Sequence, residues 1–230
     1  MAFIASPLIL VLMSIVQLSV SEVEVMGQHM VLLPEAAVYM PDSQQLLIAD
    51  LHLGKAEHFR KNGIALPGDV SGTDIDLLDT LISTYQPRKV VFLGDLFHSE
   101  HNPSWEKLLA MLAGWQSVSF HLVVGNHDIL AHDLYQQLTL SHQYNIGSIV
   151  CTHEPLAVPI VDKYNLCGHI HPSVQLRGKG KQSLKLPCFY FTEHQGILPA
   201  FGTFTGTHTV RPIATDRVYV IAGDSVSRVY

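Results

Sequence analysis

The sequence predicts a layered α/β fold, and three observations carry that prediction. Short apolar runs rich in β-branched residues recur along the chain. Segments with apolar residues at helical spacing separate the earlier runs, and the last quarter of the chain turns to strand-like patterning. Leu46–Ala49, Lys89–Leu93, Ser119–Val124, Ser148–Thr152 and Tyr164–Cys167 read as strands buried on both faces, because a sheet covered on both sides needs continuous apolar runs. Thr73–Tyr85 places Ile75, Leu78, Leu81 and Ile82 on one helical face. Pro103–Trp115 reads as a second helix, with proline in the first turn where its missing N–H costs nothing. Ile129–Leu138 reads as a third. After His171 the pattern becomes β, with Phe189–Phe191, Ile197–Phe204 and Val218–Ala222, the last closing a second sheet. Strands alternating with helices argue for α/β layers.

At 230 residues the chain is long enough to bury a full core in one domain. It is 47% hydrophobic and 15% charged, a globular rather than a disordered composition. The net charge of −6 argues against a broad surface that coats nucleic acid. Arg177, Lys179, Lys181 and Lys185 form a local basic strip, read here as a solvated loop, without the interleaved aromatics of a base-stacking platform. Cys151, Cys167 and Cys188 are odd in number and lie in or beside apolar runs. They fit reduced, buried thiols of a cytoplasmic enzyme rather than a disulfide framework.

The stretch from Phe3 to Val20 carries no charge and is mostly apolar. A signal peptide or membrane anchor is one reading. No Lys or Arg precedes it, and Pro7, Ser14, Gln17 and Ser19 interrupt it. A mis-assigned start, or an extension that packs on the sheet, is the preferred reading. Residues 1–22 are therefore set apart from a single domain over 23–230.

Five short motifs recur in order, each just after a strand-like run: Asp50-Leu51-His52, Gly94-Asp95, Gly125-Asn126-His127-Asp128, His153, and Gly168-His169-Ile170-His171. Strand ends converge in α/β folds, so one point can collect all of these donors. On an extended backbone Asp50 and His52 point the same way, as do His169 and His171. Mixed carboxylate, amide and imidazole donors suit manganese, iron, zinc or cobalt rather than calcium. With no cysteine in the series, a structural zinc knot does not fit. Two divalent ions outweigh the two carboxylates, which leaves the core positive and suited to a phosphate anion. Such ions, about 3.5–4 Å apart, activate water and clamp both oxygens of an in-line displacement. The expected arrangement has Asp95 bridging. Asp50, His52 and His171 complete one ion, and Asn126, His153 and His169 the other. His127 diverges from Asn126 and is the candidate general acid, with Asp128 orienting it and raising its pKa.

Each motif alone is ordinary. Gly-Asp and Gly-Asn dipeptides are usually turns. His29, His101, His121, His132, His142, His194 and His208 are read as surface or core residues. The joint, ordered occurrence is what points to chemistry.

These motifs resemble the calcineurin-like metallophosphoesterase superfamily, over nearly all of the chain from about Val23. The resemblance implies a four-layer αββα sandwich with two mixed sheets, a dinuclear manganese, iron, zinc or nickel centre, and hydrolysis of a phosphate ester by metal-bound hydroxide. It matches the ligand roles just given. Many members carry a second Asp three residues after the bridging one; here that residue is His98, a candidate substrate contact. A narrower resemblance lies in Ile48-Ala49-Asp50-Leu51-His52-Leu53-Gly54-Lys55, His58-Phe59-Arg60, Gly63-Ile64-Ala65-Leu66-Pro67 and the upstream Leu32–Tyr39. Together these resemble the ligase-associated DNA damage response endonucleases, the PdeM type. That implies a DNA-repair nuclease associated with a DNA ligase and a helicase. Lys55, His58 and Arg60 are candidate phosphate contacts, with a solvated helix face as the competing reading.

The leading expectation is a manganese-dependent phosphodiesterase. A phosphomonoesterase acting on protein or nucleotides is the alternative on the same centre. A non-catalytic scaffold is disfavoured by the complete ligand set and His127. Gly202–Gly206 lacks the Gly-Lys-Ser/Thr of a P-loop and reads as a turn near the site.

Overall fold

The structure, a computed structural model, describes residues 20–55, 70–97, 103–129, 135–178, 180 and 182–230. Two mixed sheets face each other. The first runs β1 (Ser21–Val25), β2 (Gln28–Leu33), β3 (Ala37–Met40), β4 (Gln45–Ile48), β5 (Lys89–Leu93), β6 (Ser119–Val123) and β7 (Thr139–Ser141) in simple order. Its first four strands pair antiparallel and β4 to β7 pair parallel. The second sheet contains β8 (Tyr144–Ile146), β9 (Ile149–Cys151), β10 (Tyr164–Cys167), β11 (Pro172–Arg177), β12 (Ser183–Phe191), β13 (Gln195–Ile197), β14 (His208–Thr209), β15 (Arg217–Ala222) and β16 (Ser225–Arg228).

The apolar runs explain the layering. Val91 and Leu93 face the inter-sheet core with Met30, Leu47, Leu166, Phe189 and Phe191. Val90 and Phe92 point to the opposite side of β5, as alternation requires, and pack under the helices. Helix α1 (Val70–Tyr85) buries Ile75, Leu78, Leu81 and Ile82 there. It ends where Gln86 turns left-handed at φ 45°, donating its N–H to Ile82, just before Pro87. Helix α2 (Pro103–Gly114) buries Trp105, Leu108 and Leu112 against the same layer and packs on α1.

The α/β sandwich with two mixed sheets is the predicted class, and the five expected strands and two of the three helices stand within a few residues of their predicted bounds. Four readings change. Half of Ile129–Leu138 falls outside the described residues, and its described end, Tyr135–Leu138, is a single tight turn. Only Ile197 of the expected strand Ile197–Phe204 is in β13; Phe201 and Gly202 instead donate N–H groups to Ala49 and Asp50, a tie that pulls the segment out of the sheet. β15 does not close the second sheet, because β16 pairs beyond it. Arg177 and Lys185 are not in a loop: they stand on the paired strands β11 and β12. Among the described residues no helix is long and apolar enough to cross a membrane. All three cysteines are free and buried, and burial pushes the Cys151 thiol up to about 12.

Candidate metal centre

Five strands end at one place. Asp50 follows β4, Asp95 follows β5, Asn126 follows β6, His153 follows β9 and His169 follows β10. Both sheets therefore deliver donors from their carboxyl ends. The two first loops are zipped together: Asp50 N–H donates to Gly94, His52 N–H to Asp95 and Leu53 N–H to Leu96. Asp50 is fully buried and Asp95 is 2% exposed.

The donors gather into two groups, Asp50 with His52 and His171, and Asp95 with His153 and His169, each with ligand atoms within 4.8 Å of one another. The Asp95 carboxylate spans both. Its Oδ2 is 3.6 Å from His52 Nε2 and its Oδ1 is 3.4 Å from His153 Nε2. Asp50 Oδ1 lies 3.3 Å from His171 Nε2 and 3.9 Å from His153 Nδ1. Asn126 Oδ1 reaches His153 Nε2 at 3.0 Å, and His169 Nδ1 faces that same nitrogen at 3.0 Å. The expected groupings are thus brought together.

Outer hydrogen bonds orient the rings. His153 Nδ1 is 3.0 Å from the Leu93 carbonyl and His171 Nδ1 is 3.0 Å from the Gly206 carbonyl. A carbonyl only accepts, so each Nδ1 carries a proton, which leaves Nε2 as the ring nitrogen that could bind a metal. Burial pulls the His171 imidazole down, but the Asp50 carboxylate and the Gly206 carbonyl outweigh it and hold the ring above its usual value. Asp50 Oδ1 and His171 Nε2 are buried without a hydrogen-bond partner. Buried polar atoms are normally satisfied. Carboxylate, amide and imidazole lone pairs converging around two buried carboxylates repel one another unless cations sit among them, so these residues fit a pair of divalent metals.

The backbone at the ligands is not extended, which corrects the sequence reading of Asp-x-His and His-x-His. Asp50, His52, Asp95, His169 and His171 have φ between 48° and 67°, half of the ten non-glycine residues with positive φ among those described. Each left-handed residue costs of order 1–3 kcal/mol, and such strain persists where the surroundings over-determine it. Here the surroundings are the loop-to-loop bonds, including His169 N–H to Asp50 Oδ2 at 2.8 Å. Convergence comes from tight turns rather than from strand alternation. Gly94 has φ 80°, and a Cβ there would collide with the His153 ring. The glycine of Gly-Asp is therefore a packing requirement of the neighbouring ligand.

His127 is half-buried, its ring 5.3 Å from that of His52, and its N–H donates to Asp95 Oδ1 at 2.9 Å. Asp128 does not form the expected His–carboxylate pair. Its Oδ1 accepts from the N–H groups of Leu96 and Phe97, and its Oδ2 from Gly125 N–H at 2.9 Å. Burial raises its pKa against those three bonds. Adjacent side chains diverge in this turn, so Asp128 joins the second and third motif loops. Lys55 is half-buried near the carboxylates: burial lowers its ammonium, and Asp95 and Asp50 draw it partly back. His58, Arg60 and His98 lie outside the described residues. Reading from sequence missed the Leu93 and Gly206 carbonyls, which have no signature in residue type, and the bond of buried Asp74 to exposed Thr203 that holds the Gly202–Gly206 loop.

Comparison with known proteins agrees with this geometry. The Calcineurin-like phosphoesterase family profile matches residues 45–224. Among solved structures, the nuclease MPE of Pseudomonas putida is similar at a TM-score of 0.75 and 28% identity, over 92% of this chain and all of that one. Yfce, a phosphoesterase from E. coli, aligns at a TM-score of 0.41 and 12% identity, over 80% of this chain and 97% of that one. No curated protein matches the chain. The likeness to a nuclease agrees with the narrower resemblance read from the sequence. By the span of the family match and the donors gathered inside it, the chain belongs to the calcineurin-like phosphoesterase family and is a metal-dependent phosphoric ester hydrolase.

Proposed function

We propose that the chain is a dinuclear phosphodiesterase, and specifically a DNA-repair nuclease that works with manganese. The observation that carries this is the pair of donor groups sharing the Asp95 carboxylate. The full-length likeness to a nuclease supports the diester over the monoester. Asp50, His52 and His171 would hold one ion, and Asn126, His153 and His169 the other, with Asp95 between them. A bound metal pair supplies an activated water and offsets charge on the phosphate oxygens.

The chain's own residues do the rest. His127, half-buried at the edge of the cluster, donates a proton from its ring to the leaving alkoxide. Asp128 serves it indirectly, by clamping the turn that carries it to the Leu96–Phe97 backbone. Lys55 faces the same phosphate as a cation, and His58, Arg60 and His98 are further candidate contacts. A cytoplasmic setting and a companion ligase and helicase belong to the same reading. The three free, buried thiols support the former, and family resemblance supports the latter.

The deciding assay uses metal-stripped protein refilled with Mn²⁺, on bis-p-nitrophenyl phosphate and p-nitrophenyl phosphate in parallel, with His127→Ala as control. Preference for the diester, lost in the variant, is expected. Preference for the monoester would replace this reading with a phosphomonoesterase.

A further inference from the structure

Charge is unevenly distributed along this acidic chain. No Asp or Glu lies between Asp162 and Glu193, or between Glu193 and Asp216. That region contains β11 and β12, and β11 leaves the metal centre directly: His171 is followed by Pro172, its first residue. The register sets Gln175 opposite Lys185 and Arg177 opposite Ser183. Paired residues share a face, so Gln175, Arg177, Ser183 and Lys185 form one exposed polar face. On the other face Val174, Leu176 and Leu186 pack with Val218 and Val220.

Lys185 is anchored. Its ammonium donates to the Thr207 carbonyl at 3.1 Å. Thr207 follows Gly206, whose carbonyl holds the His171 ring. The Lys185 charge thus sits beside the ligand loop, and Arg177 lies farther out on the same face. Among the described residues neither is paired with a carboxylate. Strand ribbons position side chains along a line, and cations in a line match the regular charges of a phosphate backbone. None of these four exposed residues is aromatic, so the face meets phosphates rather than bases.

We propose that the β11–β12 ribbon is a backbone-tracking arm: Lys185 and Arg177 hold phosphates flanking the scissile one, which makes the substrate a polynucleotide read without regard to sequence. This rests on the phosphodiesterase reading and names its substrate class.

The test measures binding of a fluorescein-labelled DNA oligonucleotide, single-stranded and duplex, across a salt series. Arg177→Gln, Lys185→Gln, the pair together and Lys185→Arg are compared with Arg228→Gln, a cation on β16 outside the ribbon. Each phosphate contact contributes about 0.7 to the slope of log K against log salt on a single strand and about 0.9 on a duplex. The double variant is expected to lose about 1.4 or about 1.8 of slope respectively, with KM for oligonucleotide cleavage raised more than kcat is lowered. Lys185→Arg should restore both, and Arg228→Gln should leave the slope unchanged. Arg177→Gln separates charge from folding, because Arg177 does not touch the loop that Lys185 ties down. An unchanged slope in the double variant overturns the proposal. So does binding of phosphatidylserine vesicles without binding of oligonucleotide. A wild-type protein that hydrolyses bis-p-nitrophenyl phosphate but binds no oligonucleotide overturns the ribbon and spares the diesterase reading. One that hydrolyses no diester overturns both.

Discussion

Asp74 and Thr203 are 129 positions apart in sequence, and the Asp74 carboxylate accepts both the hydroxyl and the N–H of Thr203. Asp74 is 5% exposed on α1, and burial raises its pKa while the two Thr203 bonds lower it. Thr203 lies in the Gly202–Gly206 loop, whose Gly206 carbonyl fixes His171 and whose Gly202 N–H donates to the main-chain carbonyl of Asp50. The helix layer is thereby connected to both acidic and imidazole donors of one metal group. Asp74→Ala should weaken Mn²⁺ binding by about tenfold, the scale of outer hydrogen-bond losses at metal sites. Titration calorimetry of metal-stripped protein measures this, and Asp74→Asn, which keeps one acceptor, should fall between.

Gly94→Ala should damage the fold and the centre together. Its Cβ meets the His153 ring, and a side chain at φ 80° is strained whatever the space. The expectation is a loss of about 1–3 kcal/mol with reduced Mn²⁺ stoichiometry, read from denaturant titration and metal analysis.

Asp128→Asn turns part of an acceptor into a donor opposite three backbone N–H groups. Leaving buried donors unpaired costs about 1–3 kcal/mol. Because the carboxylate contacts the turn and not the His127 ring, the variant should lose stability while the pH profile of its remaining activity keeps its shape. A shifted limb assigned to the general acid would show that Asp128 acts on His127 directly.

His121 supplies a pH dependence remote from the centre. Burial and the Lys89 ammonium hold its imidazole below the usual 6.5, and it sits 2.7 Å from Ser141 Oγ against the Tyr144 ring. The folded state therefore binds this proton less readily than the unfolded chain. The group's contribution to stability is present above the unfolded value and is lost as pH falls toward the folded one. Thermal melting should decline as pH falls below about 6.5, and His121→Gln should flatten that decline.

Phe189→Ala should cost about 3–5 kcal/mol, because Phe189 is fully buried in the layer between the sheets. Chemical denaturation measures it, with Leu184→Ala, 57% exposed near the start of the same strand, as the near-neutral comparison.

The α/β class, the strands that carry the site and the kinds of donor they bring could all be read from the order of the residues. Lys89–Leu93 and Tyr164–Cys167 were legible because a strand buried on both faces has to be apolar throughout. The donors were legible because carboxylate, amide and imidazole placed together after such strands have few other uses. β1 to β3, β7, β8, β11, β14 and β16 did not announce themselves: they are short or half-exposed, and their pairing is set by neighbours elsewhere in the sheets. How the donors meet depends on contacts between loops distant in the chain. Left-handed backbone at Asp50, His52 and Asp95 is imposed by hydrogen bonds between loops, since local preference opposes it. The tautomers of His153 and His171 are set by the carbonyls of Leu93 and Gly206, and a carbonyl is the same in every residue, so no pattern of residue types could have revealed them.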